Sequence, residues 1–203
     1  RVAITTDLHE LVVFMVNSFL RPTDIKNLQH KHVEIVRGDH TYLRLTLPTS
    51  KKHDAPVVTM RLAVKVYERL KRWHKAQKHG VSADDYVFLP QYKKRDFAMK
   101  ELQRQFDVLL WSTKLGKGPK GEDRTMYSLR HTCIMYRLMY GEGMDVVTLA
   151  RNARTSAEMI DRFYASRLQG EMNIGLLQSR RKKTKKIKKT TAAAKNEVEK
   201  TVN

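Results

Sequence analysis

The chain has a single cysteine, Cys133, among its 203 residues. No disulfide can form within it and no zinc site can be built on cysteines, a usage that suits a reducing, intracellular compartment. Long apolar runs are missing too. The longest near the start, LVVFMV at 11–16, is too short to cross a bilayer or to act as a signal sequence, and reads as part of a buried helix. Acidic residues are scarce, 21 against 40 Lys and Arg, which leaves a net charge of +19 and a pI near 10.1. That excess is far beyond what solubility requires. It points to a polyanionic partner, most simply nucleic acid, with an anionic membrane surface as the other attractor.

Two kinds of site are also absent. The eight histidines are scattered, only His30 and His32 lie close together, and no carboxylate pattern joins them at ligand spacing, so no metal is expected. The loop LGKGPKGEDR contains G-x4-G, but Glu122 and Asp123 follow where a phosphate-binding loop needs Lys and Ser/Thr. It reads as a surface loop, and neither a cofactor nor a small-molecule substrate is expected.

A hydrophobic content of 41% supports a substantial core. The chain opens on Arg1 rather than methionine, which reads as a piece of a longer protein. Residues 179–203 differ in kind: ten Lys or Arg, among them Arg180, Arg181, Lys182 and Lys183, face two Glu, a net of +8 that leaves +11 for residues 1–178. With so few large apolar residues this tail is expected to be disordered alone. It reads equally as a solubilising or targeting tail and as a clamp on DNA phosphates. The division expected is a folded domain over 1–178 and a basic tail over 179–203.

Within the domain, Asp7 with Glu10 reads as a capping pair opening a helix over 8–19. Pro22 suits the first turn of a second helix, with Arg21 just before it. HVEIV (32–36) and TYLRLTL (41–47) form a hairpin across Gly38-Asp39, and PVVTM (56–60) is a third strand reached through SKKHDA. Helical periodicity follows over 61–78, 93–112, 125–140, 145–153 and 157–170. The fold class is therefore α+β, mostly α-helical, with a small three-stranded antiparallel sheet. In the 125–140 helix, Met126, Leu129, Cys133, Tyr136 and Tyr140 repeat at 3-4-3-4 spacing and define an apolar face that Arg130 adjoins. Arg130 reads either as a charge paired at the core's edge or as a rigid grip for an anion.

LRPTD (20–24), YSLRHT (127–132) and NARTSAEMIDRFY (152–164), in this order with a lysine-bearing hairpin after the first, resemble the signature boxes of tyrosine recombinases, the phage-integrase family. The resemblance covers about residues 1–170, the catalytic domain. It implies DNA cleavage and rejoining through a 3′-phosphotyrosine by a site-specific recombinase or integrase of a phage or mobile element. Double-stranded DNA would be the partner, a homotetramer the working state, and no cofactor, metal or membrane would be involved. The location implied is the nucleoid in a prokaryotic host and the nucleus in a eukaryotic one.

Residue by residue, the resemblance makes Arg21 and Arg130 the two phosphate-gripping arginines, supported by Asp24, and Tyr164 the nucleophile. Lys51 matches the family's lysine in the turn between the second and third strands, with Lys52 as the alternative. Tyr127 stands where a histidine usually opens the His-x-x-Arg box, Thr155 where a histidine or tryptophan usually lies, and Arg154 replaces a glycine. These departures leave the general base unassigned. Thr155 with Glu158 also forms a Thr-x-x-Glu capping box for the last helix, with a phosphate contact as an addition. Tyr127 reads equally as core and as a hydrogen-bonding partner of the phosphate, and His131 reads as structural rather than as a base. Arg154 and the tail residues 180–183 are the candidate DNA contacts. Two other functions stay open: a type IB topoisomerase-like relaxing enzyme, and an inactive basic DNA-binding module with the same fold.

Overall fold

The computed structural model describes residues 2–48, 55–141, 143–164 and 174–178. The order is α1 (Thr6–Met15), α2 (Pro22–Asn27), a 3-10 turn (His30–His32), β1 (Val33–Val36), β2 (Tyr42–Leu45), β3 (Val57–Val58), α3 (Arg61–Ala76), α4 (Arg95–Ser112), α5 (Met126–Tyr140), α6 (Val146–Asn152), α7 (Ala157–Phe163) and α8 (Ile174–Leu177). Two compact units are present, 1–169 and 170–203, and within the second the described residues are α8 with Gln178. The α+β reading, mostly helical with one small antiparallel sheet, holds.

The sheet is a meander in the order β1-β2-β3, with Val33 opposite Leu45, Val36 opposite Tyr42, and Leu45 opposite Val57. Leu43 and Leu45 alternate inward from β2, and α3 covers them. α3 shows why it is helical: Ala63, Val64, Tyr67, Leu70 and His74 fall on one buried face, while Lys65, Arg69, Arg72 and Lys75 hold the other in water. α1 packs on the same helix with Leu8, Leu11, Phe14 and Met15 fully buried, so the LVVFMV run is indeed core.

Two local expectations fail here. α1 begins at Thr6 with Thr5 as its cap, accepting from the Leu8 N–H at 3.3 Å, and Asp7 and Glu10 do not cap it. Asp7 is turned inward, where it accepts from the Leu89 N–H at 2.7 Å and meets His74 Nε2 at 3.1 Å. Glu10 is gripped on both oxygens by Arg69 at 2.6 Å. Both carboxylates were claimed by tertiary partners at least 59 residues away. The same helix stops at Met15, with Val16 as its cap, instead of running to residue 19, and Phe19 further on takes a left-handed φ of 60°.

His30 is buried with its Nδ1 2.8 Å from the Tyr67 hydroxyl. Burial, then the Lys71 and His74 charges, push its pKa down from 6.5 to about 4, against an opposing pull from Asp85. The fold therefore favours the neutral ring, and unfolding releases a group that protonates more readily. Its contribution is complete above pH 6.5 and is lost as pH falls from there through 4, amounting to about 3 kcal/mol. Urea midpoints measured at pH 7 and at pH 4.5 should differ markedly, and a His30→Gln protein should show a smaller difference.

Candidate active site

Arg21 is fixed by the start of α2. Pro22 occupies the first helical position, and the Asp24 carboxylate accepts from the Arg21 backbone N–H at 2.9 Å. Arg21 Nη2 then donates to the Arg154 carbonyl at 2.5 Å. The other Asp24 oxygen lies 3.7 Å from Arg154 Nη1. Asp24 thus holds both the backbone of one arginine and the charge of another.

Arg130 comes from the middle of α5 and is 3% exposed. It donates through Nη1 to the Phe19 carbonyl and through Nη2 to the Ala153 carbonyl at 2.6 Å, joining the turn between α1 and α2 to the end of α6. Phe19 and Arg154 both have left-handed backbones, at φ of 60° and 52°. Non-glycine residues adopt that region at some energetic cost. Here it bends the chain so that the carbonyls at 19, 153 and 154 meet the two guanidiniums. Burial lowers the Arg130 pKa and nearby Arg21 lowers it further, with Tyr127 and Tyr164 pulling the other way.

Tyr164 ends α7 as its C-cap, at φ −125° and ψ −45°, so it lies just past the helix rather than within it. It is 6% exposed, and its hydroxyl lies 2.5 Å from His131 Nδ1. The His131 ring is held between two phenols, with centroids 4.9 Å from Tyr127 and 5.3 Å from Tyr164. Burial pushes the Tyr164 hydroxyl up to about 12, an effect that Arg130 opposes. A cavity of about 200 Å³ is lined by Tyr127, Arg130, His131, Thr155, Met159 and Tyr164, among others.

Arg130 and Tyr164 thus line one cavity, and Arg21, from the start of α2, is tied to Arg130 through the adjacent carbonyls of Arg154 and Ala153. Thr155 joins them, but its role at the helix start is different from that expected. Ser156 is the cap of α7, accepting from the Met159 N–H at 3.2 Å, while the Thr155 N–H donates to the Ala150 carbonyl at 2.9 Å. The left-handed turn at Arg154 delays the helix by one residue, which removes the Thr155–Glu158 box. Arg154 itself is buried against Asp24 instead of being displayed on the surface. His131, read from the sequence as structural, lines the same cavity with its Nδ1 2.5 Å from the tyrosine hydroxyl.

The apolar face of α5 differs too. Its buried residues are Met126, Arg130, Cys133, Ile134 and Leu138, so Arg130 is within the stripe rather than beside it. Tyr136 and Tyr140 are 51% and 68% exposed. Lys51, Lys52, Arg180, Arg181, Lys182 and Lys183 lie outside the described residues.

The fold that carries this site is the catalytic-domain fold of tyrosine recombinases. The solved structures it matches include the Tn1549 transposon integrase in complex with transposon right-end DNA, at a TM-score of 0.53 and 16% identity over 84% of this chain and 58% of that one. XerA recombinase matches at a TM-score of 0.53 and 15% identity over 89% of this chain and 66% of that one. The chain thus spans little more than half of the integrase. No protein-family model and no curated protein sequence matches it. Among the described residues, no helix is long and apolar enough to cross a membrane.

Proposed function

We propose that this chain is the catalytic domain of a site-specific DNA recombinase or integrase that cleaves and rejoins double-stranded DNA through a 3′-phosphotyrosine at Tyr164. The observation that carries this reading is the cavity lined by both the buried Arg130 and Tyr164, with Arg21 donating to the Arg154 carbonyl beside the Ala153 carbonyl that Arg130 holds. A guanidinium has five N–H donors in a fixed plane. Arg130 engages the Phe19 and Ala153 carbonyls, which hold it rigid for a phosphate. Donors held in advance at non-bridging oxygens are worth about 3–4 kcal/mol each in the transition state, because no reorganisation is needed as charge builds.

Tyr164 attacks phosphorus, the bond to the 5′ oxygen breaks, and the phosphoester passes to the protein. The ester conserves the energy for rejoining, so the second strand end can reverse the step. Burial pushes the Tyr164 hydroxyl up to about 12, so it is a neutral phenol at pH 7 and has to lose its proton as it attacks. By the family resemblance, Lys51 or Lys52 protonates the leaving 5′ oxygen, Thr155 and Tyr127 contact the phosphate, and a homotetramer pairs two duplexes. The +19 charge supports a DNA partner, and the integrase neighbour is one that was solved on DNA.

The test is a pool of randomised duplexes, each carrying a nick that lets the cleaved fragment diffuse away. Wild type should form a protein–DNA band that survives denaturation, and Tyr164→Phe should bind the pool without forming it. Binding by wild type without any covalent band would leave a DNA-binding module instead. Relaxation of supercoiled plasmid without strand exchange would favour the topoisomerase-like reading.

A further inference from the structure

We infer that His131 takes the proton from Tyr164 during cleavage and returns it during rejoining, acting through Nδ1 at the position after the second arginine. This rests on the proposed role of Tyr164 as nucleophile. The family's usual histidine, three residues before that arginine, is Tyr127 in this chain. Its ring packs edge-on against His131, and the Tyr164 hydroxyl meets His131 Nδ1 at 2.5 Å.

The other groups around the cavity are poor acceptors. Arg130 is a cation with no acceptor, and the Thr155 hydroxyl and the Tyr127 phenol are not general bases near neutral pH. Histidine is the side chain whose ordinary titration matches neutral operating conditions. Position matters as much as chemistry. Tyr127 and His131 are one turn apart on α5 and therefore share a face, while Arg130 points from the same turn to the carbonyls at 19 and 153. One helix turn thus delivers both a phosphate grip and a proton acceptor.

With the ring proton on Nε2, Nδ1 accepts the Tyr164 hydroxyl. As the Tyr164 Oη–P bond forms and the P–O5′ bond breaks, the phenolic proton moves to Nδ1, and the departing 5′ oxygen takes a separate proton from the leaving-group side. Rejoining runs in reverse: the 5′ hydroxyl attacks phosphorus and returns its proton to the acid on the leaving-group side, the Tyr164 Oη–P bond breaks, and the imidazolium protonates the phenolate as it leaves.

Among the described residues, the titratable groups that line cavities with His131 include Tyr127, Arg130 and Tyr136 on α5 and Tyr164 at the end of α7. Glu122, Asp123 and Arg124, from the segment before α5, line the adjoining cavity of about 590 Å³ with it. A pH profile has to be read with these present, so the test adds chemical rescue. Single-turnover adduct formation is followed from pH 5.5 to 9 on a nicked duplex recovered from the pool, for wild type, His131→Gln and His131→Ala, each checked for a native melting transition.

His131→Gln keeps a hydrogen-bonding side chain but cannot take a proton, and its cleavage should fall about 100-fold or more with DNA binding unchanged. His131→Ala should regain at least about tenfold on adding imidazole, the gain rising with the unprotonated fraction of the buffer. Cleavage by His131→Gln within about twofold of wild type across the range overturns the inference. So does a folded His131→Ala that cleaves slowly and does not respond to imidazole. A wild-type protein that forms no adduct overturns the nucleophile assignment itself, which is a different failure.

Discussion

Arg130→Ala is expected to lose DNA cleavage and folding stability together. The guanidinium is buried and bridges the carbonyls of Phe19 and Ala153, one in the turn between α1 and α2 and one at the end of α6. Truncation leaves both carbonyls without their donor in a site shielded from water, at about 1–3 kcal/mol each, so a total near 4 kcal/mol is expected. It also removes a preorganised donor from the cavity that Tyr164 lines, which should slow adduct formation by about 100- to 1,000-fold per folded molecule. Arg130→Lys keeps the charge, but a single ammonium on a flexible stem cannot match the fork that reaches both carbonyls. It should therefore remain at least about tenfold slow while recovering part of the stability. Urea unfolding combined with single-turnover cleavage, at a temperature where both variants are folded, separates the two effects. A stable Arg130→Ala protein that cleaves at the wild-type rate would remove this residue from the site.

Arg95→Ala is expected to give the largest loss of stability with little effect on cleavage by the molecules that remain folded. Arg95 is buried at the start of α4 and donates to four backbone carbonyls: Lys26 at 2.9 Å, Phe88 at 2.9 Å, Leu89 at 3.1 Å and Tyr92 at 3.1 Å. Its guanidinium also lies 4.0 Å over the Tyr86 ring. This one side chain ties α2, the buried Val87–Leu89 segment and α4 together. Removing it strands several carbonyls and a ring face, about 4–5 kcal/mol, which approaches the whole margin of a marginally stable domain. The expected readout is a melting transition lowered by more than 10 °C. An unchanged transition would mean that water replaces all four bonds without loss.

The placement of Arg21 was legible because its signals are local: proline at the first helical position and an aspartate three residues on leave few other conformations. The β1–β2 hairpin and the amphipathic α3 were legible for the same reason, since alternation and a 3.6 period survive packing. Where the sequence misled, a distant partner outweighed a local rule. Asp7 and Glu10 look like a cap until His74, Leu89 and Arg69 are brought beside them. Thr155 and Ser156 are adjacent hydroxyls, and the left-handed backbone at Arg154 decides which one caps α7. The 3-4-3-4 spacing through Tyr136 and Tyr140 is real, but the buried stripe of α5 is rotated to admit Arg130.

The three boxes carried most of the candidate site because each holds its residue at a helix end or on a helix face. The carbonyls of Phe19 and Ala153 carried no signal, since backbone acceptors leave no trace in side-chain spelling. His131 did leave one: it lies four residues after Tyr127 and next to Arg130, a spacing that puts a histidine and a phenol on one helical face.

The covalent linkage itself is the most direct test. The adduct trapped on a nicked duplex is digested with protease and nuclease, and the peptide carrying the residual nucleotide is sequenced by mass spectrometry. A nucleotide joined through its 3′ phosphate to Tyr164 is the predicted result. A nucleotide on another residue, a 5′ linkage, or bound DNA with no covalent peptide would contradict it.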